Sequence, residues 1–240
     1  MPAALANPVP DNAPEFLGVF SPRRAGALAG VSGDQIGQWA RYGLIRPTIY
    51  EGRPSNRYAF FDVAEAIVVH WLRGQEFDYD QIHHAIAAAR KDHPQWPLVR
   101  GKLGVARHAV EAKSDRGVIV RQSPDGSYVE IGKAGAQIVL KPELLDFAQD
   151  MLRSGGWLAF HLELDRIEVD PGKLGGAPTL AGSRWPVERV ARIAADDEGR
   201  AILIDEYTLD EADIDQAIKW TDAAERLTSG DLRDAAARSR

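Results

Sequence analysis

Between Gly18 and Tyr58 the 240-residue chain sets Arg23, Arg24, Arg41, Arg46, Arg53 and Arg57 against only Asp34 and Glu51, although the whole chain carries a net charge of −6. Guanidinium groups in such excess suit an anionic partner, and the more acidic remainder is left to face something else. Charge scattered over a solvated surface is the competing reading of the same residues.

No other set of residues amounts to an active site. The chain has no cysteine, which removes disulfides, thiolate zinc sites, iron–sulfur clusters and thiol nucleophiles together. Of the six histidines, His83 and His84 are adjacent, so on a helix they point about 100° apart and cannot share a metal as an i, i+4 pair does. The glycines of "GKLGGAPTLAGSRWPVERV" lack the lysine and spacing of a phosphate loop and read as turn geometry, with Pro178 fixing a turn and Pro186 opening a helix. The run "DEADID" offers carboxylates without a nucleophile and reads as an acid-rich helix start. No metal, no cofactor and no enzymatic activity are expected.

The elements around the arginines are punctuated by start and stop signals. Ser21 caps and Pro22 opens a first helix that Gly30 closes; Ser32 caps a second that runs to Tyr42, where Gly43 ends it and Pro47 prevents its return. With Leu28, Val31, Ile36 and Leu44 inward, this is a helix-turn-helix. "EGRPSNRY" follows as a small loop or wing. "FDVAEAIVVHWLRG", capped by Asp62, and "FDYDQIHHAIAAAR", with the Asp78/Gln81 capping box, read as helices backing it.

The segment from about 18 to 90 resembles the winged helix-turn-helix of the mercury-resistance-regulator type. The elements that carry the likeness are "ALAGVS", "RYGLIRP", "GRPSNRY" and "FDVAEA". The resemblance implies that the helix over 33–42 enters a major groove. Ser32, Gln35 and Gln38 would then touch base edges, while Arg41, Arg53 and Arg57 supply charge, and Tyr42 and Tyr58 bond the DNA backbone beside Asn56 of the wing. Asp34 and Gly37 stand where family members usually carry basic residues, which implies weak binding per protomer. A degenerate helix pair used only for protein contacts is the alternative. The long coiled-coil helix usual in that family does not follow, because Pro94 and Pro97 break the chain after Arg90.

In the middle, residues 98–112 can form one helix. "GVIVRQSPDGSYVEI" reads as a hairpin and "AQIVL" as a further strand, and Lys141 to Arg153 reads as a helix ended by Gly155-Gly156. The organisation expected is a disordered arm over 1–15, a winged helix-turn-helix over 16–96, a small α/β connecting piece over 97–160, a helical helix-turn-helix-like domain over 161–227 and a tail over 228–240. The fold class is mainly α with a small β component.

The carboxy-terminal stretch resembles a small bacterial domain that accompanies antitoxins. Its signature corresponds here to Asp170-Pro171, Gly175-Gly176-Ala177-Pro178, Gly182-Ser183-Arg184-Trp185-Pro186-Val187 and "YTLDEADIDQAIKW", with Ser183 and Trp185 in place of the usual Thr and Ile. Together the two likenesses resemble a VapB-type antitoxin. They imply a homodimer that binds operator DNA, represses its own operon and neutralises a PIN-type ribonuclease. In that case Arg226, Arg233, Arg238 and Arg240 are candidates for the ribonuclease's metal-binding carboxylates, against the simpler reading of a frayed, solvated tail. The other function that remains is a ligand-responsive transcription regulator with its pocket in 97–160. No apolar run approaches the roughly 18 residues of a membrane span, and the start lacks the basic and apolar regions of a signal peptide. No membrane partner is therefore expected, and the reading places the chain in the cytoplasm.

Overall fold

Two serines start the first two helices of the described residues as their sequence demands. In the computed structural model, which describes residues 17–52, 55–91, 93–101, 103–106, 118–122, 128–130, 137–138, 143–144 and 147–229, Ser21 Oγ accepts the amide of Arg24 and opens α1 (Pro22–Ala29). Ser32 Oγ accepts the amide of Gln35 and opens α2 (Gly33–Arg41). Each bond satisfies one of the amides that a helix start leaves unpaired. The helices approach closely because Gly26 carries no side chain: a Cβ there would lie 2.5 Å from the carbonyl oxygen of Val31.

Helix α3 (Phe60–Gly74) is the centre of the molecule. Its Val63 and Ile67 are buried, but so are Ala64, Glu65, Val68 and Val69, because α1, α4 (Tyr79–Ala89), α5 (Pro97–Arg100) and α6 (Phe147–Arg153) surround it. A helix apolar on every side belongs in the interior. Its N-cap is Ala59, not Asp62 as the sequence suggests. Asp62 sits one turn further in, where its buried Oδ2 accepts the amides of Ala59 and Thr48 and the Thr48 hydroxyl, while Oδ1 accepts the indole N–H of Trp96. Helix α4 follows the expected pattern, with the reciprocal Asp78 and Gln81 bonds at its start and Ile82, Ala85, Ile86 and Ala89 buried.

The expected helix over 98–112 is instead a single turn followed by a strand. Gly101 closes α5, and β1 (Leu103–Ala106) buries Leu103 and Val105, two residues apart, on one face of a sheet. Residues 107–112 lie outside the described residues. The hairpin is present: β2 (Val118–Gln122) pairs antiparallel with β3 (Tyr128–Glu130), which pairs with β4 (Gln137–Ile138). Glu143 and Leu144, expected as the first turn of a helix, form β5 (Glu143–Leu144) opposite Val105 and Gly104, so that the helix starts only at Phe147. The sheet order is β4-β3-β2-β1-β5.

After the positive-φ pair Gly155 and Gly156, α7 (Gly156–His161) packs against α1. Gly30, at φ +77°, gives it room: a Cβ there would lie 2.3 Å from the Trp157 ring. A two-stranded ribbon, β6 (Ile167–Glu168) with β7 (Thr179–Leu180), leads into α8 (Val187–Ile193), α9 (Asp197–Asp205) and α10 (Glu211–Ser229). Helix α9, capped by Asp196, is an element the sequence reading did not identify. Trp220 of α10 is buried and donates its indole N–H to Gly155 O at 3.1 Å, and one hydrophobic core runs from Phe20 to Ala224. The N-terminal half of α1 borders an open cleft of about 640 Å³ against α8 and α10. The fold is mainly helical with a small β component, and among the described residues no helix is long and apolar enough to cross a membrane.

Candidate nucleic-acid interface

Helix α2 is sharply two-faced. Ile36 and Trp39 point into the core, with the Trp39 indole donating to the Tyr79 hydroxyl at 3.3 Å, while Asp34, Gln38 and Arg41 are exposed. Tyr42, the helix's C-terminal cap, is 68% exposed. Beyond Gly43, at φ +71°, the amide of Leu44 returns to Trp39 O and Leu44 and Ile45 turn inward. Arg90, from the end of α4, donates to Gly43 O at 3.0 Å, which fixes the point where the chain leaves α2. The exposed flank therefore presents an amide side chain, a guanidinium and a phenol within two turns of helix.

The segment after α2 folds back as a short antiparallel ribbon. Tyr50 and Arg57 exchange backbone hydrogen bonds at 3.2 and 2.7 Å, and Tyr58 and Phe20 exchange another pair at 2.9 and 3.0 Å. Asn56 organises the tip, accepting the Gly52 amide at 3.1 Å and donating to the Tyr58 hydroxyl at 3.4 Å. Thr48 ties the ribbon's base to α3 through Asp62.

This geometry sorts the expected contact residues. Gln38, Arg41 and Tyr42 are exposed together, and Gln35 is half-buried beside them. Ser32 is committed to its own helix start. Arg57 turns back on its loop, its guanidinium donating to the Ser55 carbonyl and hydroxyl and to the Asn56 carbonyl. Tyr58 departs from its expected role: it is 1% exposed, in the core beneath the ribbon, because the strand alternation that points Arg57 outward points Tyr58 inward. Burial, with Asp62 and Glu51 nearby, pushes its phenol pKa up, so the hydroxyl keeps its proton. Arg53 lies outside the described residues. Arg46, counted in the arginine excess but given no contact, is exposed, as is Tyr50, which the sequence does not single out and which the ribbon pairing with Arg57 positions.

Of the arginines considered for a protein partner, Arg226 is on the exposed side of α10, where its Nε donates to Asp222 O at 3.2 Å. Arg233, Arg238 and Arg240 lie outside the described residues. The carboxy-terminal elements are held by polar cross-links: the Arg166 guanidinium reaches Asp210 at 3.1 Å and Asp213 at 3.0 Å, and Arg200 reaches Asp215 at 2.7 Å. Residues 167–220, from β6 into the first half of α10, match a protein family described as a protein of unknown function, DUF433. Among curated proteins none matches the chain.

Proposed function

We propose that the chain is a cytoplasmic antitoxin of the VapB type that binds operator DNA as a homodimer and neutralises a PIN-type ribonuclease. The observation that carries this reading is the exposed flank of α2. Gln38, Arg41 and Tyr42 there have the reach and the donors for a major groove, and the ribbon paired through Tyr50–Arg57 and Phe20–Tyr58 follows α2 in the chain as a wing does. The α1–α2 pair with its wing acts as a winged helix-turn-helix. The segment matched by the family of unknown function coincides with the stretch whose signature resembles the antitoxin-associated domain, which supports a division of labour between a DNA-reading head and a partner-binding end. The chain acts by binding and has no catalytic role.

The test is co-purification of the tagged full-length protein from its native host, with mass identification of what remains bound. A PIN-type ribonuclease is expected. Recovery of the protein alone, still able to shift its upstream DNA, would replace this reading with a ligand-responsive transcription regulator. The cleft among α1, α8 and α10 favours that second reading, although its place differs from the 97–160 pocket that the sequence suggests.

A further inference from the structure

The cleft of about 640 Å³ lies between the N-terminal half of α1 and the carboxy-terminal helices, and its volume falls within the range of small-molecule sites. Ala27 of α1, Ala191 of α8 and Ile218 of α10 give it an apolar lining. Arg23 and Arg24 enter from α1, Arg192 and Glu188 from α8, and Thr221 and Asp222 from α10. Arg24 is engaged with Glu188 at 3.5 Å across the cleft. Glu225, also at the lining, has a partner of its own. Arg23 and Arg192, in contrast, have no carboxylate partner among the described residues, and of the lining acids only Asp222 is likewise unpaired.

Two guanidinium groups beside an apolar lining form a chemically specific combination. Guanidinium forks match the paired oxygens of carboxylates and phosphates, and the alanine and isoleucine surface suits a short apolar body attached to them. We propose that this cleft binds a small organic anion, its oxygens held by Arg23 and Arg192, and its apolar part laid on Ala27, Ala191 and Ile218. The bound anion touches α1, and α1 packs on α2 at Gly26, so occupancy alters the setting of the helix proposed to read DNA. That last consequence rests on the DNA-reading proposal; the binding site itself does not.

The experiment is isothermal titration of the full-length protein, without DNA, with benzoate in one arm and phenyl phosphate in the other. Saturable one-to-one binding of either probe is expected, and the probe that binds identifies the head group as carboxylate or phosphoryl. Arg192→Ala and Arg23→Ala should each weaken binding about tenfold, with folding of every variant checked by circular dichroism. Lys219→Ala removes a positive charge from α10 outside the cleft and should leave binding unchanged. The proposal is overturned if neither probe saturates, if the arginine variants bind as well as the parent, or if Lys219→Ala weakens binding as much as Arg192→Ala does. Because no DNA is present, this outcome and the outcome of the operator-binding test are independent.

Discussion

The indole of Trp157 is stacked on the imidazole of His70, with ring centroids 4.2 Å apart and planes 29° from parallel. On the far side of His70, Nδ1 lies 2.6 Å from the carbonyl oxygen of Ala29, so Nδ1 carries the proton and donates it. His161 lies against the Trp157 ring as well, at 4.4 Å. This aromatic stack joins α7 to α1 and α3, and it is one of the seams between the amino-terminal helices and the elements carboxy-terminal to them, beside those of α3 with α6 and α1 with α10.

The seam should weaken in acid. Burial pushes the His70 pKa below its ordinary value, with the His161 ring adding to the effect and the Ala29 carbonyl opposing it; burial also lowers His161. Below the ordinary histidine value of 6.5 the unfolded chain takes up protons that the folded chain resists, so stability is lost as pH falls through that window. The melting temperature should drop between pH 7 and pH 5.5. His70→Asn, which retains a donor for Ala29 O without a titrating ring, should drop less. An equal acid loss in the two proteins would remove His70 from the explanation.

Glu65 predicts a dependence of opposite sign. It is fully enclosed between α3 and the turn into α5, with Oε1 accepting the Leu98 amide at 2.8 Å, and burial pushes its pKa up to about 8 despite that bond. The folded protein therefore holds a proton that the unfolded chain releases between about 4.5 and about 8, and stability falls as pH rises through that range. Glu65→Gln keeps the acceptor and removes the titration. It should stabilise the protein at pH 8 by roughly 2–4 kcal/mol and by little at pH 4.5. Denaturant midpoints at the two pH values test this, and a gain of equal size at both would rule out the titration as its cause.

These two residues also mark what sequence could and could not disclose. The caps at Ser21, Ser32 and Asp78 were legible because a cap is a bond between residues three apart, written into one turn of chain. The β2–β3 hairpin was legible for the same reason. Glu65 looked like any helix-face carboxylate, since its burial depends on a segment more than thirty residues away. The strand β1 reads as helix in the sequence because four residues of alternating apolar character are ambiguous until β2 and β5 flank them. In the candidate interface Gln38 and Arg41 come from the resemblance to a winged helix-turn-helix, and the helical spacing that buries Ile36 and Trp39 leaves them exposed, whereas the inward turn of Tyr58 depends on its pairing with Phe20.

Tyr58 supplies a direct check on that correction. With its ring in the core and its hydroxyl reached, among the described residues, only by Asn56 at 3.4 Å, Tyr58→Phe should leave DNA affinity within about twofold and cost about 0.5–1.5 kcal/mol of stability. A large loss of DNA affinity at full stability would return the hydroxyl to the interface.

The arginine tail can be tested without disturbing the core. Among the described residues Leu227 is the last partly buried one packed on the core, so a chain truncated after it retains the described apolar contacts of α10. If Arg233, Arg238 and Arg240 compete for a ribonuclease's metal-binding carboxylates, the truncated protein should still bind DNA but lose inhibition of the co-purified ribonuclease. Unchanged inhibition would leave the tail as solvated chain.

The proposed division of roles on α2 separates two kinds of contact that share one helix face. Arg41 is an exposed cation in the last turn, suited to a phosphate, so Arg41→Ala should weaken binding to all duplexes alike and reduce the salt slope by about one. Gln38, one turn earlier and exposed, offers both a donor and an acceptor, the pair that an adenine edge accepts. Gln38→Ala should therefore cost about 1–3 kcal/mol on the upstream DNA and little on random duplex, leaving the salt slope intact. Gel-shift titrations of both variants on both duplexes at two salt concentrations decide the matter. Should both substitutions weaken specific and random DNA to the same extent, α2 holds the phosphate backbone only, and sequence is read elsewhere on the protein.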